Sequence, residues 1–142
     1  MTRKGYLAIV ALSILAVGCG GASDAPQLAV VDGSIQFEGK PLAGASVVFT
    51  PEKGPVAIGR SDEAGRFTLS TQGRPGAAVG SHRVTVQAFQ APSPNAKVGS
   101  DGESLEPAVS KIPMKYTELA KSGLTATVAP SADANKITLE LK

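Results

Sequence analysis

The stretch Val31–Pro51, VDGSIQFEGKPLAGASVVFTP, carries the pattern on which the fold rests. In its first half Val31, Gly33, Ile35 and Phe37 share one face of an extended chain, and Asp32, Ser34, Gln36 and Glu38 share the other. Period-two alternation of this kind is the signature of a half-buried strand. A turn follows at Glu38-Gly-Lys-Pro41, and the next run, GASVVFTP, brings Val47 and Phe49 together. Gly33 inside the first run predicts a bulge or a close approach of another group to the backbone.

The same texture continues outward. VAIGRSD is a weaker run. GRFTLST aligns Phe67 with Leu69, and SHRVTVQA aligns Val84, Val86 and Ala88. LTATV and KITLELK then place Leu124, Ala126 and Val128, and Ile137, Leu139 and Leu141, in register. These are seven runs, with SHRVTVQA expected to be the longest. No mature segment offers a helical apolar face of useful length, apart from one short turn around Tyr116–Lys121. Asp62-Glu-Ala-Gly65 has Asp first and Gly last, as a type I turn prefers. The expectation is an all-β fold, a seven-stranded antiparallel sandwich with Gly and Pro between its strands.

The N-terminus is different in kind. Arg3 and Lys4 precede the apolar run Leu7–Val17, which is interrupted only by Ser13. Such a run falls short of the roughly 20 residues needed to cross a hydrocarbon core. A basic start, a short apolar stretch and small residues at its end describe an export signal. The only cysteine in the chain, Cys19, closes this segment. With no second cysteine there is no intramolecular disulfide, so the thiol calls for another explanation. Leu15-Ala-Val-Gly18-Cys19 resembles the lipobox of bacterial lipoproteins. That resemblance implies cleavage between Gly18 and Cys19 and acylation of Cys19, the protein's link to a membrane. It also implies a cell-envelope location. Gly20, where aspartate often signals inner-membrane retention, points to the outer membrane over the inner.

The expected organisation is a signal peptide over 1–18, the lipidated cysteine with a flexible tether over 19–27, and a single domain over 28–142. Loss of residues 1–18 removes Arg3 and Lys4 from the 14 basic residues, leaving twelve against twelve acidic. The net charge of +2 is therefore a property of the precursor, and no basic patch remains to favour a nucleic-acid partner.

The alternating runs also carry a family resemblance. Val31–Pro51, Gly59–Thr71 (GRSDEAGRFTLST) and Gly76–Val86 (GAAVGSHRVTV) resemble a carboxypeptidase regulatory-like domain. Gly39, Pro41, Leu42, Gly44, Ala45 and Val47 match its turn-and-strand element. Asp62, Gly65 and Phe67 match its hairpin, with Ser61 replacing the usual threonine. The tail Lys111–Val128, KIPMKYTELAKSGLTATV, is similar to that of small bacterial lipoproteins built on this domain. The resemblance implies a transthyretin-like Greek-key sandwich and no established activity, and fold alone confers none.

Catalysis needs a constellation, and the sequence offers few members. His82 is the only histidine, so a His-based metal site cannot be assembled. Ser61, Ser81, Ser110 and Asp62 are the groups nearest to a triad with it, yet no nucleophile-elbow spacing surrounds them. His82 shares parity with Val84 and Val86 and is expected inward at a strand end, bonded to backbone. The expectation is a non-enzymatic chain with no catalytic residues, no metal and no cofactor.

Ala91–Lys111, with three prolines and the acids Asp101, Glu103 and Glu106, is expected as a solvated loop. Lys40 and Asn135 are candidate partners for an intramolecular isopeptide bond. Tyr116, the sole tyrosine after the signal segment, is expected to pack its ring and tie a crossover to the sheet through its hydroxyl. Two functions follow. The first is a lipid-anchored structural or interaction module meeting an envelope protein through sheet edges and the long loop. The alternative is a ligand- or substrate-binding lipoprotein with 91–111 as a lid.

Overall fold

A computed structural model describes residues 25–142 of the chain. Gly18, Cys19 and the rest of the expected signal segment lie outside the described residues. Twelve strands run through the remainder: β1 (Leu28–Ala29), β2 (Asp32–Phe37), β3 (Lys40–Pro41), β4 (Ser46–Pro51), β5 (Ala57–Arg60), β6 (Arg66–Thr68), β7 (Ser70–Thr71), β8 (Arg74–Pro75), β9 (Ala77–Ala78), β10 (Gly80–Gln87), β11 (Leu124–Val128) and β12 (Lys136–Leu141). All seven alternating runs contain strand, and β10 is the longest. Among the described residues the helical content is two 3-10 turns, Met114–Thr117 and Ala132–Ala134.

The strands form a six-stranded sheet ordered β11-β10-β4-β5-β7-β8 and a four-stranded sheet in which β2 lies between β12 and the short β3 and β6. A third, small pairing joins β1 to β9. The two larger sheets share one core. Ile35, Leu139 and Leu141 come from the smaller sheet, and Val47, Phe49, Val84, Val86 and Val128 from the larger. Phe49 and Phe67 meet across it with ring centroids 6.3 Å apart. This is an all-β fold consistent with a sandwich.

Two hairpins are set by their turn residues. Glu38 and Gly39 join β2 to β3, and Gln72 and Gly73 join β7 to β8, with φ of 50°, 77°, 49° and 79°. Positive φ at both central positions is the twist-matched hairpin geometry, which glycine adopts without steric cost. At Gly33 the expectation of a close approach is met. Phe67 lies directly opposite in register. A Cβ on Gly33 would collide with the Phe67 ring, so the missing side chain is the space the ring occupies.

Two expectations are corrected. The GRFTLST run is not one continuous strand. It breaks at Leu69, where the chain passes from β6 beside β2 to β7 beside β5, changing sheets while Phe67 and Leu69 both stay buried. Nor are all pairs antiparallel, because β12 runs parallel to β2 from Lys136↔Asp32 to Leu141↔Phe37. Period-two alternation is identical in both directions, so the sequence pattern cannot report which one is used.

Candidate functional site

Asp62 shows how the local sequence builds the turn that carries the chain from β5 in the larger sheet to β6 in the smaller one. Its Oδ1 accepts from Ala64 N–H at 2.9 Å and Arg66 N–H at 2.8 Å, and its carbonyl accepts from Gly65 N–H at 3.0 Å. The carboxylate is thus engaged in holding its own turn. Ser61, directly before it, is buried and donates to Leu42 O at 2.6 Å while accepting from Ala45 N–H at 2.9 Å. Ser110 is likewise committed to backbone, donating to Ile112 O at 2.7 Å.

His82 is 2% exposed, and its Nε2 lies 2.7 Å from Ala78 O. A carbonyl only accepts, so Nε2 donates in this contact. Nδ1 is buried and has no partner. The ring packs on Phe49 with centroids 5.6 Å apart. The inward position and the backbone bond agree with the sequence reading, and neither Ser61 nor Ser110 donates its hydroxyl to the ring. Among the described residues, no group of three His, Cys, Asp or Glu side chains is placed to hold a metal ion.

Asn135 sits inside the fold with no exposed surface. Its Oδ1 accepts from Ala129 N–H at 2.7 Å, and its Nδ2 donates to Ala129 O at 2.9 Å and Val30 O at 3.1 Å. The side chain closes the β11–β12 connection and ties it to the segment entering β2. This overturns the Lys40–Asn135 cross-link. Asn135 adjoins the Asp32 end of β2, while the exposed Lys40 pairs with Phe37 at the other end. Six residues of extended chain separate those ends by about 17 Å.

Tyr116 is placed as the sequence suggested. Its ring is buried in the 3-10 turn that packs on β10, and Lys115 Nζ stands 4.8 Å from the ring centroid. Its hydroxyl donates to Lys142 O and accepts from Lys142 N–H, both at 2.9 Å.

The 91–111 segment is more ordered than expected. Gln90 N–H donates to Val109 O and Lys111 N–H to Ala88 O, extending the end of β10 as an antiparallel pair. At its far end Val98 pairs with Ser104, and Leu105 N–H donates to Lys97 O at 2.7 Å, closing a small hairpin. The result is an arm rather than a featureless loop. Phe89, Val98, Leu105 and Val109 are exposed along it, with Leu105 67% accessible. Isolated exposed apolar residues are ordinary, whereas four on one element form a candidate contact surface. Asp101, Glu103 and Glu106 give the same element an acidic character.

Two concave regions lie on the surface of the described residues. One, about 800 Å³, is an open groove beside β2 and β12 that includes Arg60, Arg66, Lys136, Asp32 and Asp62. The other, about 730 Å³, lies within the arm between Phe89, Asp101, Glu106 and Val109. No residue of 91–111 lines the first. Comparison with family models, curated proteins and solved structures gives no match for this chain. Among the described residues, no helix is long and apolar enough to cross a membrane.

Proposed function

We propose that this chain is a non-catalytic, lipid-anchored protein of the bacterial cell envelope that works through protein contacts. The observation that carries the reading is Cys19, the only cysteine, placed after a short apolar run and preceded by Gly18. Two or three acyl chains on Cys19 would bind a bilayer stably, since each buried methylene contributes about 0.8 kcal/mol. In this reading residues 1–18 are a signal peptide and 28–142 form a transthyretin-like, Greek-key carboxypeptidase regulatory-like domain. Support for a contact role comes from the exposed apolar arm. Support for a non-catalytic one comes from Ser61, Ser110 and Asp62, whose side-chain oxygens bond backbone groups, and from His82, whose Nε2 is held by Ala78 O.

Labelled palmitate fed to cells producing the full chain tests the anchor. Label should enter the wild-type protein and be lost with Cys19→Ala, which should also leave the membrane fraction. Equal labelling of the two, or no label in either, overturns the anchor. A pull-down from solubilised outer membranes should recover a partner that is reduced when Val98 and Leu105 are both changed to Ser.

The second reading, a ligand-binding lipoprotein closed by 91–111, draws on the hollow within the arm. Thermal-shift screening against sugars, peptides and metal ions separates it from the first, because a contact module should give no shift.

A further inference from the structure

Among the described residues β12 is an outer strand of its sheet, with β2 on one side and no strand on the other, and its hydrogen-bonding groups alternate between the two sides. Leu141 O accepts from Glu38 N–H, and Asn135 O accepts from Asp32 N–H. In a strand the N–H and C=O of one residue point to the same side and successive residues alternate, so the odd positions face β2. Lys136, Thr138, Glu140 and Lys142 therefore turn their backbone groups away from β2. Lys142 confirms the parity, because its N–H and C=O are the pair taken by the Tyr116 hydroxyl. Among the described residues that leaves Lys136, Thr138 and Glu140 as an open edge, and all three side chains are exposed.

Unpaired edges invite another strand, and an edge lysine ordinarily discourages it. Here the lysine has a counterpart. Lys136 and Glu140 stand symmetrically about Thr138, two residues to either side. If two copies of β12 meet antiparallel about Thr138, Lys136 of each lies opposite Glu140 of the other, and Thr138 faces Thr138. The three residues that pair are the three with free backbone groups, and each facing pair exchanges two hydrogen bonds. On the inward face Ile137 meets Leu139 of the second copy, continuing the apolar surface of both sheets. A parallel meeting would instead set Lys136 against Lys136, so the charges select the antiparallel register. Of the other outer strands, β11 exposes Thr125 and Thr127, which have no charge to fix a register, and β3 and β8 are two residues long and end in proline.

We infer that the chain forms a two-fold homodimer by antiparallel pairing of β12 with β12 of a second copy, in the register centred on Thr138. Both partners use the same patch, as two-fold symmetry requires. The inference goes beyond the proposed function and does not depend on acylation of Cys19.

Sedimentation of the full-length chain in mild detergent, with detergent mass subtracted, tests it across a concentration series. The wild type should be a dimer. Lys136→Glu and Glu140→Lys should each raise the dissociation constant by about tenfold or more, because symmetry makes one substitution create two like-charge pairs. The double variant Lys136→Glu/Glu140→Lys restores both pairs and should regain the dimer. Circular dichroism should show the same fold in all four proteins, since both side chains are exposed. A monomeric wild type overturns the inference, as do single variants that dimerise normally or a double variant that stays monomeric.

Discussion

Asn135 and His82 are both buried polar side chains, and they serve the fold in opposite ways. Asn135 makes three hydrogen bonds with backbone groups of Ala129 and Val30. His82 makes one, to Ala78 O, and leaves Nδ1 bare in a site shared with Phe49. The first satisfies groups that would otherwise be stranded away from water. The second fills space and carries one polar atom that the interior leaves unpaired. What matters is therefore how many other groups depend on a buried polar side chain, since an orphaned buried donor or acceptor costs about 1–3 kcal/mol.

Removing Asn135 should break the contrast most severely. Asn135→Ala leaves Ala129 N–H and two carbonyls without their partner and opens a cavity, so the loss should be about 3–5 kcal/mol. Urea denaturation measures it, and a loss under about 1 kcal/mol would place water or a neighbouring group in the vacated site. Tyr116→Phe is intermediate. It keeps the ring and removes both bonds to Lys142, for about 1–2 kcal/mol, with faster amide exchange at Lys142. His82→Phe should be smallest, about 1 kcal/mol, because removing the unpaired nitrogen offsets part of the loss of the bond to Ala78 O. A drop comparable to that of Asn135→Ala would mean that Nδ1 has a role its surroundings do not reveal.

Much of this arrangement was legible in the sequence, for physical reasons that also mark where it stopped. The inward parity of His82 follows from Val84 and Val86, and the turn at Asp62–Gly65 follows from the local chemistry of its two end residues. Gly33 announced a close approach, although only the structure shows that the approaching group is Phe67. Asn135 is in step with Ile137, Leu139 and Leu141, and that parity was the available sign that its amide would point inward. The partners it would find there come from segments far away in sequence. Strand direction and the change of sheet at Leu69 are likewise tertiary facts that leave alternation unaltered. The arm at 91–111 was obscured by its prolines, because its ladder rests on a few backbone bonds without an apolar stripe. Cys19 lies outside the described residues, and its role rests on the sequence alone.

The parallel pairing of β12 with β2 also sets a schedule. Ser34 and Thr138, bonded through their hydroxyls, are 104 residues apart. Closing so long a loop before any contact rewards it makes such a pairing entropically late and places the chain among slow, high-contact-order folders. Until synthesis reaches Leu141, β2 has no neighbour on that side and the smaller sheet stays unfinished.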